Sequence, residues 1–307
     1  YSEKVYRIVK GGRTDKGTPV VNVINLGPDE KVTELVAVSE FSPTDFLVMV
    51  TASGKIKRNA LKDYANVRTN GMIAIRLDGD DELKWVLQTN GKQDVIMVTE
   101  KGKGLRFAEG KVRSMGRTAA GVRGMRVAED DRLASVDVAS EEDFLLVVGE
   151  KGIGKRTPVR MIPPHGRATG GVMITNKHML DVTGNVIAAK VLQENDDVTF
   201  ITSGGNVIRL KGVAIPVKGR TARGVRLVRL VDGATVAAVT SNDADAILDN
   251  VPEGELPADT LPDFGEDDLP DALETDFDED DLEEDLDDLE AEDADESPDD
   301  SDDRDEA

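Results

Sequence analysis

The feature that most constrains this chain is a repeat. A run of apolar residues enters a glycine turn, and an arginine stands four residues after the glycine. Phe46-Leu47-Val48-Met49-Val50 leads to Gly54 and Arg58, and Val95-Ile96-Met97-Val98 to Gly102 and Arg106. Phe144-Leu145-Leu146-Val147-Val148 leads to Gly152 and Arg156, and Val198-Thr199-Phe200-Ile201 to Gly205 and Arg209. A second element follows each, a loop of the form Gly-Arg-Thr-x-x-Gly-Val, clearest at Gly116-Arg117-Thr118 to Gly121-Val122 and Gly219-Arg220-Thr221 to Gly224-Val225. Variants are Arg167-Ala168-Thr169-Gly170-Gly171-Val172, Arg68-Thr69-Asn70-Gly71 and Gly12-Arg13-Thr14-Asp15-Lys16-Gly17. The closing glycines fall at 17, 71, 121, 171 and 224, so the period is 50 to 54 residues. Such periods mark solenoids, propellers and arrays, whose units cannot bury an apolar face alone.

Each unit is expected to be all-β, because short β-branched runs alternate with Gly and Asp turns and no segment sustains a helical period. A further strand closes each unit: Leu83 to Leu87, Leu133 to Val138, Val186 to Leu192 and Val236 to Val239. Four-stranded blades at this period predict a propeller-like repeat with short, protected edges. The expected divisions are a partial blade at 1–39, blades at 40–90, 91–140, 141–193 and 194–242, and an acidic tail at 243–307. Tyr1 occupies the place three residues after a hairpin glycine, so the chain is read as starting inside a hairpin.

Charge separates the tail from the body. Residues 1–242 carry 37 Lys and Arg against 28 Asp and Glu, leaving +9; residues 243–307 carry one Arg against 33 Asp and Glu, leaving −32. A like-charged block of that length cannot bury its charge and is expected to stay solvated and disordered. The basic body points to a polyanionic partner. No cysteine, signal-peptide pattern or apolar run approaching the ~20 residues of a membrane span occurs, and a soluble intracellular protein is expected.

Thr118-Ala119-Ala120-Gly121-Val122-Arg123-Gly124, Gly152-Ile153-Gly154-Lys155-Arg156-Thr157 and Arg167-Ala168-Thr169-Gly170-Gly171-Val172, taken in order, resemble successive blades of the C-terminal domain of the bacterial DNA gyrase A protein. The resemblance runs from Tyr1 to Asn242. It implies a six-bladed β-pinwheel, a propeller relative whose neighbouring blades exchange strands, with duplex DNA wrapped on a basic rim. It also implies the parent's partners, the rest of the gyrase A protein and the ATPase-bearing gyrase B protein, in an A2B2 assembly. The family's Q-R-R-G-G-K-G box has no counterpart; Lys10-Gly11-Gly12-Arg13 echoes it in the wrong order and in a later blade's loop. The chain is therefore read as starting midway through the second blade. The parent's catalytic tyrosine belongs to another domain, so Tyr1, Tyr6 and Tyr64 receive no such role.

Three arginine series are candidate DNA contacts on position alone. The first is Arg58, Arg106, Arg156 and Arg209; the second is Arg76, Arg126 and Arg229, five residues after the loop glycine, interrupted by Asn176; the third is Arg68, Arg117, Arg167 and Arg220, within the loops. Lys57, Lys103, Lys155, Arg123, Arg223 and Arg226 join them as neighbours. Any one of these is also readable as a solvated or salt-bridged surface residue, but the periodic recurrence of guanidinium groups suits a phosphate backbone, with counterion release supplying sequence-independent affinity.

Other motifs fall short of their chemistry. Gly149 to Arg156 nearly spells a phosphate-binding loop, but Arg156 stands where Ser or Thr must bind Mg²⁺ and a hairpin replaces the required helix. Asp276 to Asp287 imitates an EF-hand with Asp281 at the glycine position and Asp287 at the bidentate glutamate. His165 and His178 lack a ligand or catalytic context. Neither a cofactor nor a metal is expected, and no nucleophile, base and metal constellation marks the fragment as an enzyme. The leading expectation is a non-catalytic DNA-wrapping domain serving ATP-dependent negative supercoiling. The alternatives are the related domain of topoisomerase IV and a protein-binding propeller scaffold.

The tail is expected to act as an autoinhibitor that competes with DNA for the body's arginines, since tethering gives it an effective concentration on the order of mM. Deleting residues 250–307 should raise duplex affinity at low salt, the difference shrinking as the Debye length falls from ~10 Å at 0.1 M to ~3 Å at 1 M. Identical binding by both chains at low ionic strength would leave the tail only a solubilising role.

Overall fold

The protein is described by a computed structural model, which covers residues 1–11, 16–27, 30–67, 70–176, 178, 180–193, 195–231 and 233–242. The tail, with its EF-hand imitation, and Arg68 lie outside these residues. The expected hairpins and closing strands form. The unit at 40–90 holds β1 (Phe46–Thr51), β2 (Lys55–Ala60) and β3 (Leu83–Thr89). The next holds β4 (Asp94–Thr99), β5 (Lys103–Ala108), β6 (Val122–Arg123) and β7 (Leu133–Ala139). Then come β8 (Phe144–Gly149), β9 (Ile153–Pro158), β10 (Val172–Met173), the single-turn helix α1 (Leu180–Thr183) and β11 (Val186–Leu192). The last unit holds β12 (Asp197–Thr202), β13 (Val207–Lys211), β14 (Val225–Arg226) and β15 (Val236–Asn242). Residues 1–39 contain no strand among those described, only single 3-10 turns at Val5–Arg7 and Val20–Asn22.

Every sheet is antiparallel, and each of the first three is completed from outside its own unit. The orders are β3-β1-β2-β6, β7-β4-β5-β10 and β11-β8-β9-β14, with β15-β12-β13 left at three strands among the described residues. The fourth strand is the two-residue segment after the loop glycine of the following unit: Val122 pairs Ile56, Val172 pairs Gly104 and Val225 pairs Gly154. A strand this short has no stability of its own. Its place is fixed by the glycine before it. Gly121 has φ +93° and Gly224 φ +89°, and a Cβ on them would stand 2.7 Å from the Ile56 carbonyl oxygen and 2.5 Å from that of Gly154. The loop can therefore lie on the neighbouring hairpin only where a side chain is absent.

The core lies between sheets. Along β1, Val48 and Val50 pack towards Val95, Met97 and Phe107 of the next sheet, while Leu47 and Met49 pack with Leu61 and Tyr64 on the other face, where Val36, Val38 and Phe41 join them. The same alternation sends Ile96 and Val98 against Leu145 and Val147, and Leu146 and Val148 against Val198 and Phe200. Strands buried on both faces read as continuous apolar runs, which is why the leading strands β1, β4 and β8 show no polar alternation in the sequence.

Gly224→Val should lower the melting temperature well beyond Arg117→Ala, by at least ~2 kcal/mol of stability, because it adds positive-φ strain to a backbone overlap. Equal melting temperatures for the two variants would contradict this seating of the loop.

Candidate nucleic-acid interface

The first arginine series does not form an outer track. Arg106 and Arg156 are 5% and 7% exposed, and both reach into the following unit. Arg106 pairs with Asp94 at 2.7 Å and donates from Nη1 to the carbonyl oxygens of Val159 and Ile162 at 3.0 and 3.1 Å. Arg156 donates to the carbonyl oxygens of Ile215 and Val213 at 2.7 and 3.2 Å and lies 5.0 Å over the Phe144 ring. Arg58, with a side chain 12% exposed, faces Glu109 at 3.7 Å and sits 4.4 Å over the Phe46 ring. Their targets surround the 3-10 turns Glu109–Lys111, Val159–Met161 and Gly212–Ala214. Such a turn leaves carbonyls unpaired at its end, and a guanidinium supplies several donors from one side chain. Arg58, Arg106 and Arg156 are therefore clasps between units, and burial removes Arg106 and Arg156 from any surface a duplex could touch. Arg209, half exposed and paired with Asp197 in its own hairpin, stays accessible.

A signal for this was present twelve residues upstream of each arginine. Phe46, Asp94, Phe144 and Asp197 occupy that position, so each guanidinium has an aromatic face or a carboxylate waiting on the paired strand.

The described members of the second and third series reach the surface wholly or in part. Arg76, Arg126, Arg229, Arg117, Arg123, Arg223 and Arg226 are exposed, and Arg167, Arg220 and Lys103 are half-buried. The fold interleaves the two series across the seams between units. The Arg76 amide donates to the Ala119 carbonyl at 3.3 Å, which sets that segment beside the loop carrying Arg117. The Arg126 amide donates to Thr169 at 2.9 Å, and the Ala168 amide to Gly124 at 2.8 Å, joining the Arg126 segment to the loop carrying Arg167. Arg167 and Arg220 in turn donate to the carbonyls of Arg123 and Met173 on the exchanged strands β6 and β10. Each second-series segment is thus seated beside the third-series loop of the following unit, Arg76 beside that of Arg117 and Arg126 beside that of Arg167.

Two of the candidate lysines are buried. Lys57 Nζ donates to the Ala74 carbonyl at 2.6 Å and to Arg117, and Lys155 Nζ to Gly219 at 2.9 Å and to Arg220. Burial pushes Lys57 down to about 8 and Lys155 to about 7, the charge of Arg220 acting in the same direction on Lys155. The near-phosphate loop at Gly149 is accordingly occupied: its lysine holds backbone carbonyls, and a Cβ on Gly152 would stand 2.6 Å from the Val228 carbonyl oxygen. Among the described residues no three His, Cys, Asp or Glu side chains converge as a metal site, and no helix is long and apolar enough to cross a membrane.

The family model for the DNA gyrase C-terminal domain, beta-propeller, matches residues 3–39, 45–90, 93–140, 143–192 and 196–243. The chain belongs to this family. The DNA gyrase A protein of Staphylococcus aureus (strain NCTC 8325 / PS 47) is 38% identical over 268 residues, 86% of this chain and 30% of that protein. The corresponding protein of strain MRSA252 is 38% identical over 256 residues, 82% of this chain and 29% of that protein. The chain therefore spans about a third of the length of these relatives. Among solved structures, a C-terminal domain of DNA topoisomerase IV superposes with a TM-score of 0.69 at 25% identity, covering 77% of this chain and 76% of that one. A DNA gyrase A C-terminal domain gives 0.67 at 26% identity, with 78% of both chains covered. The gyrase-family β-pinwheel is thus the architecture of residues 40–242, with exchanged strands as its joints.

Arg106→Ala should cost about 3 kcal/mol of stability, because it strands Asp94 and two carbonyls at an inter-unit joint, and should leave the salt dependence of DNA binding unchanged. A reduced salt slope with unaltered stability would return Arg106 to the DNA surface.

Proposed function

We propose that this chain is a non-catalytic DNA-binding module that bends duplex DNA around its exposed arginines and so supports ATP-dependent negative supercoiling by a parent DNA gyrase. The observation that carries the reading is the interleaving of Arg76 and Arg126 with the loops of Arg117 and Arg167. Guanidinium groups spaced along successive loops meet phosphates in turn, and glycine-bearing loops let backbone approach closely. Succession matters because bending a 20–30 bp segment by 40–90° costs on the order of 1–6 kcal/mol, more than one contact offsets. The module reads backbone rather than sequence, since these arginines repeat with no unit-specific partner for base edges.

In this reading the partners are double-stranded DNA, the remainder of the gyrase A protein and the ATPase-bearing gyrase B protein, in the cytoplasm. The 38% identity to gyrase A supports the gyrase branch over topoisomerase IV. The tail at 243–307 is the module's internal competitor.

Changing Arg76, Arg117, Arg126 and Arg167 together to Ala should flatten the plot of log K against log salt by about 0.9 for each phosphate neutralised by one of them. The melting temperature should move little, because these side chains face solvent wholly or in part. An unchanged slope in the quadruple variant rejects this surface as the DNA track.

A further inference from the structure

Lys57 and Lys155 occupy one position of the repeat, three residues after the hairpin glycine, where the other units carry Leu105 and Ile208. Leu105 is fully buried at that position, so an apolar side chain fills it and packing does not require an amine. Lys57 is 0% and Lys155 1% exposed, and neither is in an ion pair among the described residues. A buried ammonium without a carboxylate costs stability. Here the carbonyls it meets all belong to the loops or segments that carry arginines of the second and third series: Arg117 and Ala74 for Lys57, Gly219 and Arg220 for Lys155.

The units with lysine and the loop they hold vary together within this one chain. Lys57 lies under Gly116-Arg117-Thr118 and Lys155 under Gly219-Arg220-Thr221. Where the position is Leu105, the loop reads Gly166-Arg167-Ala168-Thr169-Gly170 and is shaped differently. Ala168 takes φ 70° and Thr169 Oγ1 donates to the Gly166 carbonyl at 3.0 Å. The loop without a lysine thus carries a side-chain tie from Thr169, whereas the Gly116 and Gly219 carbonyls accept from the amides of Ala119 and Ala222. The loops with one turn their carbonyls inward, onto the ammonium.

We propose that Lys57 and Lys155 are positioning residues for DNA contact, each holding the peptide carbonyl of the next unit's loop arginine so that Arg117 and Arg220 are presented in fixed directions. This deepens the proposed function and rests on its arginine track. Two carbonyl dipoles converging on one charge hold the arginine's own peptide, the point closest to the side chain whose direction matters. The charged groups near Lys155 are Arg220 and Arg223, and the charge of Arg220 opposes its ammonium together with burial, whereas Lys57 is opposed by burial alone. The amine therefore also makes the hold pH-dependent. With Lys155 near 7 when folded and 10.5 when unfolded, the unfolded chain binds more protons between those values, and stability rises with pH through that window. Deprotonation relieves the burial cost while weakening the charge-assisted grip on the loop.

The test uses the full chain with Lys155→Met and Arg220→Ala, singly and together. Lys155→Met should speed amide hydrogen exchange in residues 219–224 about tenfold or more while β8 and β9 keep their protection. It should weaken duplex binding about three- to tenfold, the weight of one phosphate contact, and the double variant should bind no worse than Arg220→Ala alone. It should also remove the rise in stability between pH 7 and 10.5. Unchanged loop exchange, or strictly additive losses of affinity, would overturn the proposal. If Arg220→Ala itself leaves DNA binding intact, the arginine track fails, and loop exchange in Lys155→Met still decides whether the lysine positions the loop. Should Lys155→Met not fold, Lys57→Leu carries the same measurements on residues 116–121, a substitution that copies the leucine the next unit holds at 105.

Discussion

Each of the first three sheets lacks an edge until the following unit supplies two residues, and the rest of the structure depends on that donation. Val122, Val172 and Val225 pair with the hairpins before them, and the loops that deliver them carry the exposed arginines. Sheet completion and display of the basic surface are thus one event. A unit cannot present its loop without closing its neighbour's sheet, and the apolar faces of β1, β4 and β8 are buried only when sheets stack. Stability in such an array comes from neighbour interfaces more than from any unit alone.

Around this joint the same side chain performs two tasks. Arg106 and Arg156 turn inward to bond carbonyls at 3-10 turns, while Arg117 and Arg126, from the same units or their neighbours, face solvent. Guanidinium suits both because its several donors serve carbonyl clusters and phosphate oxygens alike. Lysine divides in the same way: Lys55 is paired with Asp78 near the surface, whereas Lys57, two residues on, is buried under Arg117. The body's net +9 therefore overstates the charge offered to a polyanion, since part of it is internal mortar.

The architecture was legible because the signals that specify it are local and repeated. Gly54, Gly102, Gly152 and Gly205 mark four turns, and the apolar runs before them are long enough to be strands buried on both faces. The exchange of strands came through family resemblance, as a two-residue strand leaves no periodicity to read. Periodicity misled on Arg58, Arg106 and Arg156. In a repeat, an interior joint recurs as regularly as an exterior contact, so recurrence of charge alone does not tell rim from seam. The residues twelve positions upstream, Phe46, Asp94, Phe144 and Asp197, offered each guanidinium a partner but did not separate the three inward arginines from Arg209, which stays accessible.

The sequence by itself determined the repeat length, the β class, the hairpins, the division between a basic body and an acidic tail, and the identity of the residues carrying charge, because these follow from side-chain chemistry and short-range backbone preference. Only the tertiary structure decided which of those charges meet solvent. Burial of Arg106 and Lys155 depends on carbonyls 53 to 65 residues away, brought close by the exchanged strands. That approach is a property of how one sheet closes on the next, and no local pattern encodes it.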